Sequence, residues 1–309
     1  MSALLDVILP VFVVLASGYI LTWRGYFNDA ANNGLMKFAQ GFALPLLLFR
    51  SISDLDLGDH FNLPLLVSFY AGAIGGFTVG TLGARFLFGR NWEDAVAIGF
   101  VGLFSNSLLL GIPITERAYG TDALAANFAI VAIHAPICYF IGITAMEMVR
   151  NRGGALYLLP AKIGKAVFSN ALIIGISCGF VVNLTGFHMP EILTDGIDLI
   201  TRAGLPAALV GLGGILYRYR PEGDMRAILF IVAVSLVVHP VIVWTVGRAF
   251  GLDVAEFRSA VITAAMAPGV NAYLFAHMYD RAKRVAASAV LIGTGLCIVT
   301  AAGWLSILP

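Results

Sequence analysis

The chain has 309 residues, 59% of them hydrophobic and 12% charged, with a formal net charge of +1 and a mean hydropathy of +0.89. A water-soluble domain carries roughly 25% charged residues, so the composition excludes one, and a near-zero charge without a basic cluster gives nucleic acid no purchase. Apolar runs of about 20 residues recur throughout, continuous rather than alternating, which excludes a β-barrel and predicts an all-α polytopic membrane protein.

Ten spans are predicted. The first, 3–23, has spanning length and lacks the basic n-region of a cleavable signal peptide. The second, 31–53, holds "ALPLLLF" around Pro45, and the third, 62–86, carries "GAIGG" and "GTLG", a spacing suited to close helix packing. In the fourth, 93–117, the stretch "LFSNSLLLGIPITE" sets Asn106 and Pro113 inside an apolar helix. The fifth, 122–149, includes His134, Pro136 and Tyr139. Beyond the longest hydrophilic connection, 150 to 162, come 163–185, 190–217 and 226–250, the last with His239 beside Pro240. The ninth, 256–279, contains "AAMAPGVNAYLFAH", and the tenth runs over 284–307. Short loops join all ten, so the expectation is a multi-pass protein of the cytoplasmic (inner) membrane with no soluble domain.

Basic loops stay in the cytoplasm. Thirteen Lys and Arg follow odd-numbered spans and five follow even-numbered ones, with Lys37 inside the second span, which predicts both termini outside.

The second half echoes the first. "WEDAVAIGFVGLFSN" ends at Asn106 and "FRSAVITAAMAPGVN" ends at Asn271, 165 residues later; Ala95-Val96 and Ala260-Val261 share that offset, and Pro45 and Pro206 lie 161 apart. Such an offset covers five spans. Five is odd, so the second copy enters the membrane from the opposite side, giving inverted repeats over 1–155 and 156–309, an arrangement common in secondary transporters.

Proline removes a backbone donor and opens the helix before it. In lipid the freed groups each cost several kcal/mol, so they must face protein or a wet cavity. Asn106 precedes Gly111 and Pro113, while Asn271 follows Pro268 and Gly269. If the fourth and ninth spans cross at these breaks, helix N-termini and two amides converge on a place that attracts an anion without a buried cation. The plainer reading of either amide is an interhelical hydrogen bond.

At these residues the chain resembles the auxin efflux carrier family, whose plant members are the PIN auxin exporters and whose bacterial members include candidate malate and malonate permeases. The matching pieces are "ALPLLLF" (43–49), "NSLLLGIP" (106–113) and "APGVNAYLFAHMYD" (267–280), in the expected order. The resemblance implies ten spans in two inverted five-helix repeats, crossed fourth and ninth helices, and an organic anion as substrate. It also implies a scaffold of spans 1, 2, 6 and 7, a transport unit of spans 3–5 and 8–10 that moves like an elevator, and a homodimer through the scaffold. Ser105 stands where plant members have Pro, and their long cytoplasmic loop between halves is missing, a compact form closer to the bacterial carriers and to small carboxylates.

Further candidates each carry a plainer alternative. Ser105 offers a hydroxyl to a carboxylate or back-bonds to its helix. His134 titrates or binds substrate, or, like His239, bonds a carbonyl beside a proline-freed turn. Tyr273 and Tyr139 face the cavity or simply pack. Cys138, Cys178 and Cys297 read as buried small hydrophobes, and Asp198 with Arg202 as an i,i+4 pair. Glu116 and Asp280 follow the broken helices at loop ends, and no acid falls clearly at mid-membrane. The membrane potential therefore suffices to drive an anion; the alternative is a sodium- or proton-coupled symporter of the bile-acid-carrier type. No metal-ligating set, cofactor motif, HExxH or paired mid-span Asp is present, so no enzyme, cofactor or metal is expected.

Overall fold

The computed structural model describes residues 2–55, 62–150 and 171–309. The connection from 151 onward and the opening of the predicted sixth span lie outside them. Helices dominate: α1 (Ser2–Trp23), α2 (Asp29–Phe38), α3 (Leu44–Ser53), α4 (Leu63–Phe86), α5 (Trp92–Leu103), α6 (Ile112–Tyr119) and α7 (Leu124–Arg150). They are followed by α8 (Ala171–Thr185), α9 (Glu191–Arg218), α10 (Met225–Ala233), α11 (His239–Phe250), α12 (Val254–Ala264), α13 (Val270–Met278) and α14 (Lys283–Ile307). Among the described residues there is no strand, only one isolated β-bridge.

Among the described residues, seven helical segments are long and apolar enough to cross a membrane: Asp6–Trp23, Asp29–Ser53, Leu63–Phe86, Leu124–Arg150, Glu191–Arg218, Met225–Phe250 and Lys283–Ile307. The predicted fourth and ninth spans are absent from that set because each is interrupted, into α5 and α6 and into α12 and α13. The described part of the sixth, Ala171–Thr185, is shorter.

Helices begin where a polar side chain can take the first free N–H groups. Asn28 accepts from Ala31 N–H, Asn91 from Asp94 N–H, Asp224 from Arg226 and Ala227 N–H, and Asp253 from Glu256 N–H. Prolines shape three interiors. Ala39–Ala43, Ser107–Gly111 and Val234–Val238 are π turns, and each leads within two residues to a proline, Pro45, Pro113 or Pro240. Leu44, Ile112 and His239 donate to the carbonyl five residues back, at Ala39, Ser107 and Val234. The wider turn makes room where a proline ring would otherwise strike the preceding turn.

The chain divides into two compact units. One holds α4 to α7 and α10 to α14 with the first turns of α1; the other holds the rest of α1 with α2, α3, α8 and α9. Within the first, the glycine stripe of α4 lets two backbones touch: a Cβ at Gly102 would stand 2.9 Å from the Gly76 carbonyl oxygen. Close van der Waals contact is what holds helices together where lipid supplies no hydrophobic drive. Phe69, Phe100 and Phe275 fill the interior beside it.

Within the second unit, α1 and α9 pack equally closely, since a Cβ at Gly18 would strike the Val210 carbonyl and one at Gly213 the Leu15 carbonyl. Buried Asn32 donates to Thr22 Oγ1 at 3.0 Å, and Asn183 donates to the carbonyls of Ile52, Ser53 and Leu55 at the end of α3. Two expectations are corrected here. Asp198 pairs with Arg50 at 3.3 Å rather than with Arg202, because the Arg50 guanidinium also holds Asp54 and reaches Asp198 across the helix contact. Cys178 is exposed, whereas Cys138 and Cys297 are buried.

Candidate functional site

The two interrupted segments join at their breaks, both within the first unit. Asn106 N–H donates to the Ala267 carbonyl at 2.8 Å, and Gly269 N–H donates to the Phe104 carbonyl at 2.9 Å, an antiparallel bridge centred on Ser105 and Pro268. Two N–H and two C=O groups freed by the breaks thereby satisfy one another. Pro268, which has no N–H, occupies the position where none is needed. Further carbonyls are met by thiols: Cys138 Sγ lies 3.9 Å from the Leu103 oxygen and Cys297 Sγ 3.8 Å from that of Ala265. The sequence gives no hint of that role, since a thiol in an apolar run looks like any small hydrophobe.

Asn106 is 6% exposed and caps the π turn, its Oδ1 accepting from Leu109 N–H at 3.2 Å. Its Nδ2 has no hydrogen-bond partner among the described residues. Asn271, second residue of α13, is half-buried, and its Oδ1 accepts from the Tyr139 hydroxyl at 3.2 Å. Rings hold Tyr139 in place: Phe100 lies 5.8 Å and Phe104 6.0 Å away, and Phe100 stacks on Phe275 at 3.9 Å. Both amide oxygens are thus engaged by protein donors. What each side chain has left is its NH₂ group, so the pair offers donors and scarcely any acceptor.

Ser105 is buried, its hydroxyl 2.9 Å from that of Ser107. His134, also buried, faces the same break from α7, its ring 4.6 Å from Phe104 and its Nδ1 3.6 Å from Cys138 Sγ. Tyr273 goes elsewhere, packing on Tyr219 at 4.9 Å and His277 at 5.8 Å. The sequence favoured Tyr273 over Tyr139 for the site, whereas Tyr139 is the one bonded to an asparagine. Gly111 has room for a Cβ in ordinary contact with Met266 and Thr263, whereas Gly269 would bring one to 3.3 Å from the Phe104 ring. Pro113 stands in the first turn of α6. His239 is fully buried, its ring 5.5 Å from that of Phe69.

At one end of the unit Glu93 accepts from Arg150 at 3.0 Å and Arg281 at 2.8 Å, joining the start of α5, the end of α7 and the loop after α13. Glu116 and Asp280 are exposed, as loop-end positions should be. The run Gly175-Ile176-Ser177-Cys178-Gly179 has GxSxG spacing, but it lies inside continuous α8 rather than on a strand-to-helix elbow that would present a nucleophile. Gly175 serves packing, since a Cβ there would strike the Pro45 carbonyl.

Several membrane-length apolar helices define a multi-pass membrane protein. Residues 3–305 match the family described as membrane transport protein, the auxin efflux carrier family, and the chain belongs to it. A Rhizobium meliloti (strain 1021) protein named "Putative malonate transporter" is 24% identical over 99% of this chain and 96% of its own. Auxin efflux carrier component 8 of Arabidopsis thaliana is 22% identical over 94% and 93%, and the uncharacterized transporter YfdV of Escherichia coli (strain K12) is 21% identical over 96% and 95%. The protein is a membrane transporter and not an enzyme.

Proposed function

We propose that the protein is a secondary carrier that moves a small organic anion, a carboxylate, across the cytoplasmic membrane by elevator-type alternating access. The observation that carries this reading is the polarity of the asparagine pair. With Asn106 Oδ1 held by Leu109 and Asn271 Oδ1 held by Tyr139, the free NH₂ groups suit an acceptor-only ligand, and a carboxylate is one. Two helical segments begin at the breaks, at Ser107 and Val270, and the N-terminal N–H groups of a helix favour negative charge. A relative named for malonate and another named for auxin, both carboxylates, support the same class.

The division into two units, one with α1, α2, α3, α8 and α9 and one with the broken helices, supports a scaffold and a moving part. In this reading there are ten spans in two inverted repeats, α5–α6 crosses α12–α13 at the breaks, both termini lie outside, and the scaffold forms a homodimer. Ser105 and His134 line the break, and Tyr273 is a peripheral member. The test is uptake of malonate and other short dicarboxylates into proteoliposomes at a set membrane potential. Wild-type uptake is expected to saturate and to vanish in Asn106→Ala/Asn271→Ala; uptake that survives the double substitution overturns the site.

A further inference from the structure

Two cavities of the second unit follow one another along the α3–α8 pair. The first is an apolar furrow of about 420 Å³, bordered by Phe42, Leu46 and Phe49 on one side and by Ala171, Ile174 and Cys178 on the other. The second is a polar cup of about 240 Å³ at the C-terminal ends of the same helices, where Arg50, Ser53 and Asp54 face Val182, Asn183 and His188. Helical spacing joins them. Phe42, Leu46, Phe49 and Ser53 are separated by steps of three or four, as are Ala171, Gly175, Cys178 and Val182, so each series keeps to one face of its helix. Glycine lays the floor of the furrow: a Cβ at Gly175 would strike the Pro45 carbonyl and one at Gly179 would stand 2.8 Å from the Phe49 oxygen, so the helices touch backbone to backbone.

Length and charge identify the occupant. Asp29–Ser53 is long and apolar enough to cross a membrane, and the cup stands at its end. From Phe42 to Ser53 the path is about 16 Å at roughly 1.5 Å per residue, half of a hydrocarbon core of about 30 Å, which is the depth of one leaflet. Phe42 is 50% and Ile174 51% exposed, so the furrow is open to an acyl chain along its side. In the cup one guanidinium stands between two carboxylates: Arg50 pairs with Asp54 and, at 3.3 Å, with Asp198. The Asp54 and Asp198 side chains remain 63% and 41% exposed. Both signs are therefore on offer with a net negative excess, a poor match for an anionic headgroup and a good one for a zwitterion. The carboxylates suit a primary ammonium with three N–H donors, and the rest of the Arg50 fork suits a phosphodiester. Phe187 is the one phenyl ring in the cup, short of the aromatic cage that selects a quaternary ammonium.

We propose that the furrow and cup form a binding site for one phosphatidylethanolamine molecule, its acyl chain in the furrow, its phosphate on Arg50 and its ammonium on Asp54 and Asp198. The site rests on the membrane setting and does not involve the asparagine pair. The experiment is native mass spectrometry of the full-length protein, delipidated in detergent and titrated with phosphatidylethanolamine, phosphatidylglycerol or phosphatidylcholine of identical chains. One phosphatidylethanolamine per chain is expected to be retained about tenfold more tightly than the other two. Asp54→Asn/Asp198→Asn, which leaves Arg50 alone, is expected to reverse the preference toward phosphatidylglycerol. Cys178→Trp, which fills the furrow from an exposed position, is expected to release all three lipids. Equal retention of the three lipids by wild type, the behaviour of nonselective boundary lipid, overturns the proposal. So does an unchanged preference in the double variant, or in Asp54→Asn alone if the double variant does not fold. A Cys178→Trp protein that keeps its lipid but loses a dimer present in wild type marks the furrow as an interface between copies and overturns it as well. No transported anion is added, so none of these outcomes bears on the proposed carrier function.

Discussion

Asn106 and Asn271 stand beside the two breaks, yet their local bonding differs. Asn106 is a structural cap as well as a donor: its oxygen closes the first turn after the break, and its burial leaves the amide no freedom. Asn271 caps nothing, since the cap of α13 is Gly269, and its orientation is borrowed from Tyr139 on another helix. The same residue type is thus fixed by the backbone on one side and by a side chain on the other. If both amides meet the proposed anion, replacing Asn106 disturbs fold and ligand together, whereas replacing Asn271 disturbs chiefly the ligand.

The largest effect is expected for Asn106→Asp. The carboxylate retains the cap to Leu109 N–H but sets a negative charge where the buried NH₂ group was, so dicarboxylate uptake falls by about two orders of magnitude and, with no partner for the buried charge, the thermal midpoint falls as well. Asn106→Ala comes next, with uptake reduced about tenfold or more and stability lowered by about 1 kcal/mol for the lost cap, measured by denaturant or thermal unfolding. Asn271→Ala is expected to cut uptake about tenfold with a smaller loss of stability than Asn106→Ala, since only the part-buried Tyr139 hydroxyl loses its acceptor; an equal or larger loss would erase the contrast between the two sides. Tyr139→Phe leaves Asn271 in place but frees its amide to rotate. The expected result is a several-fold rise in KM at constant maximal rate, read from initial uptake.

The smallest effect concerns Asp280, whose carboxyl is held below its ordinary range chiefly by the hydrogen bond from Lys283. A depressed carboxyl contributes stability above its unfolded pKa and loses it as pH falls through the folded value. Wild type and Asp280→Asn should therefore have parallel midpoints from about pH 5 to 8 and approach each other only in more acidic buffer.

The breaks are legible in the sequence because Pro and Gly beside Asn stand out in runs that are otherwise apolar. Their pairing is not, for the bridge between Asn106 and Ala267 is a backbone contact that any residue types could make. Tyr139 and Tyr273 look alike until the helix face is known. Arg50 and Asp198 illustrate the converse: a sound local rule, i,i+4, loses to a partner on another helix.

Each of the three π turns is, in effect, a one-residue insertion retained inside a helix. Removing a residue from Val234–Val238 would restore ordinary winding, but everything after it would turn by about 100° and advance about 1.5 Å. His239 would swing off Phe69, and the proline ring would press on the turn before it. The same shift at Ser107–Gly111 would carry α6, and Thr115 with it, out of phase with Asn127. Single-residue deletions, harmless in many loops, should therefore be the least tolerated length changes at these three places.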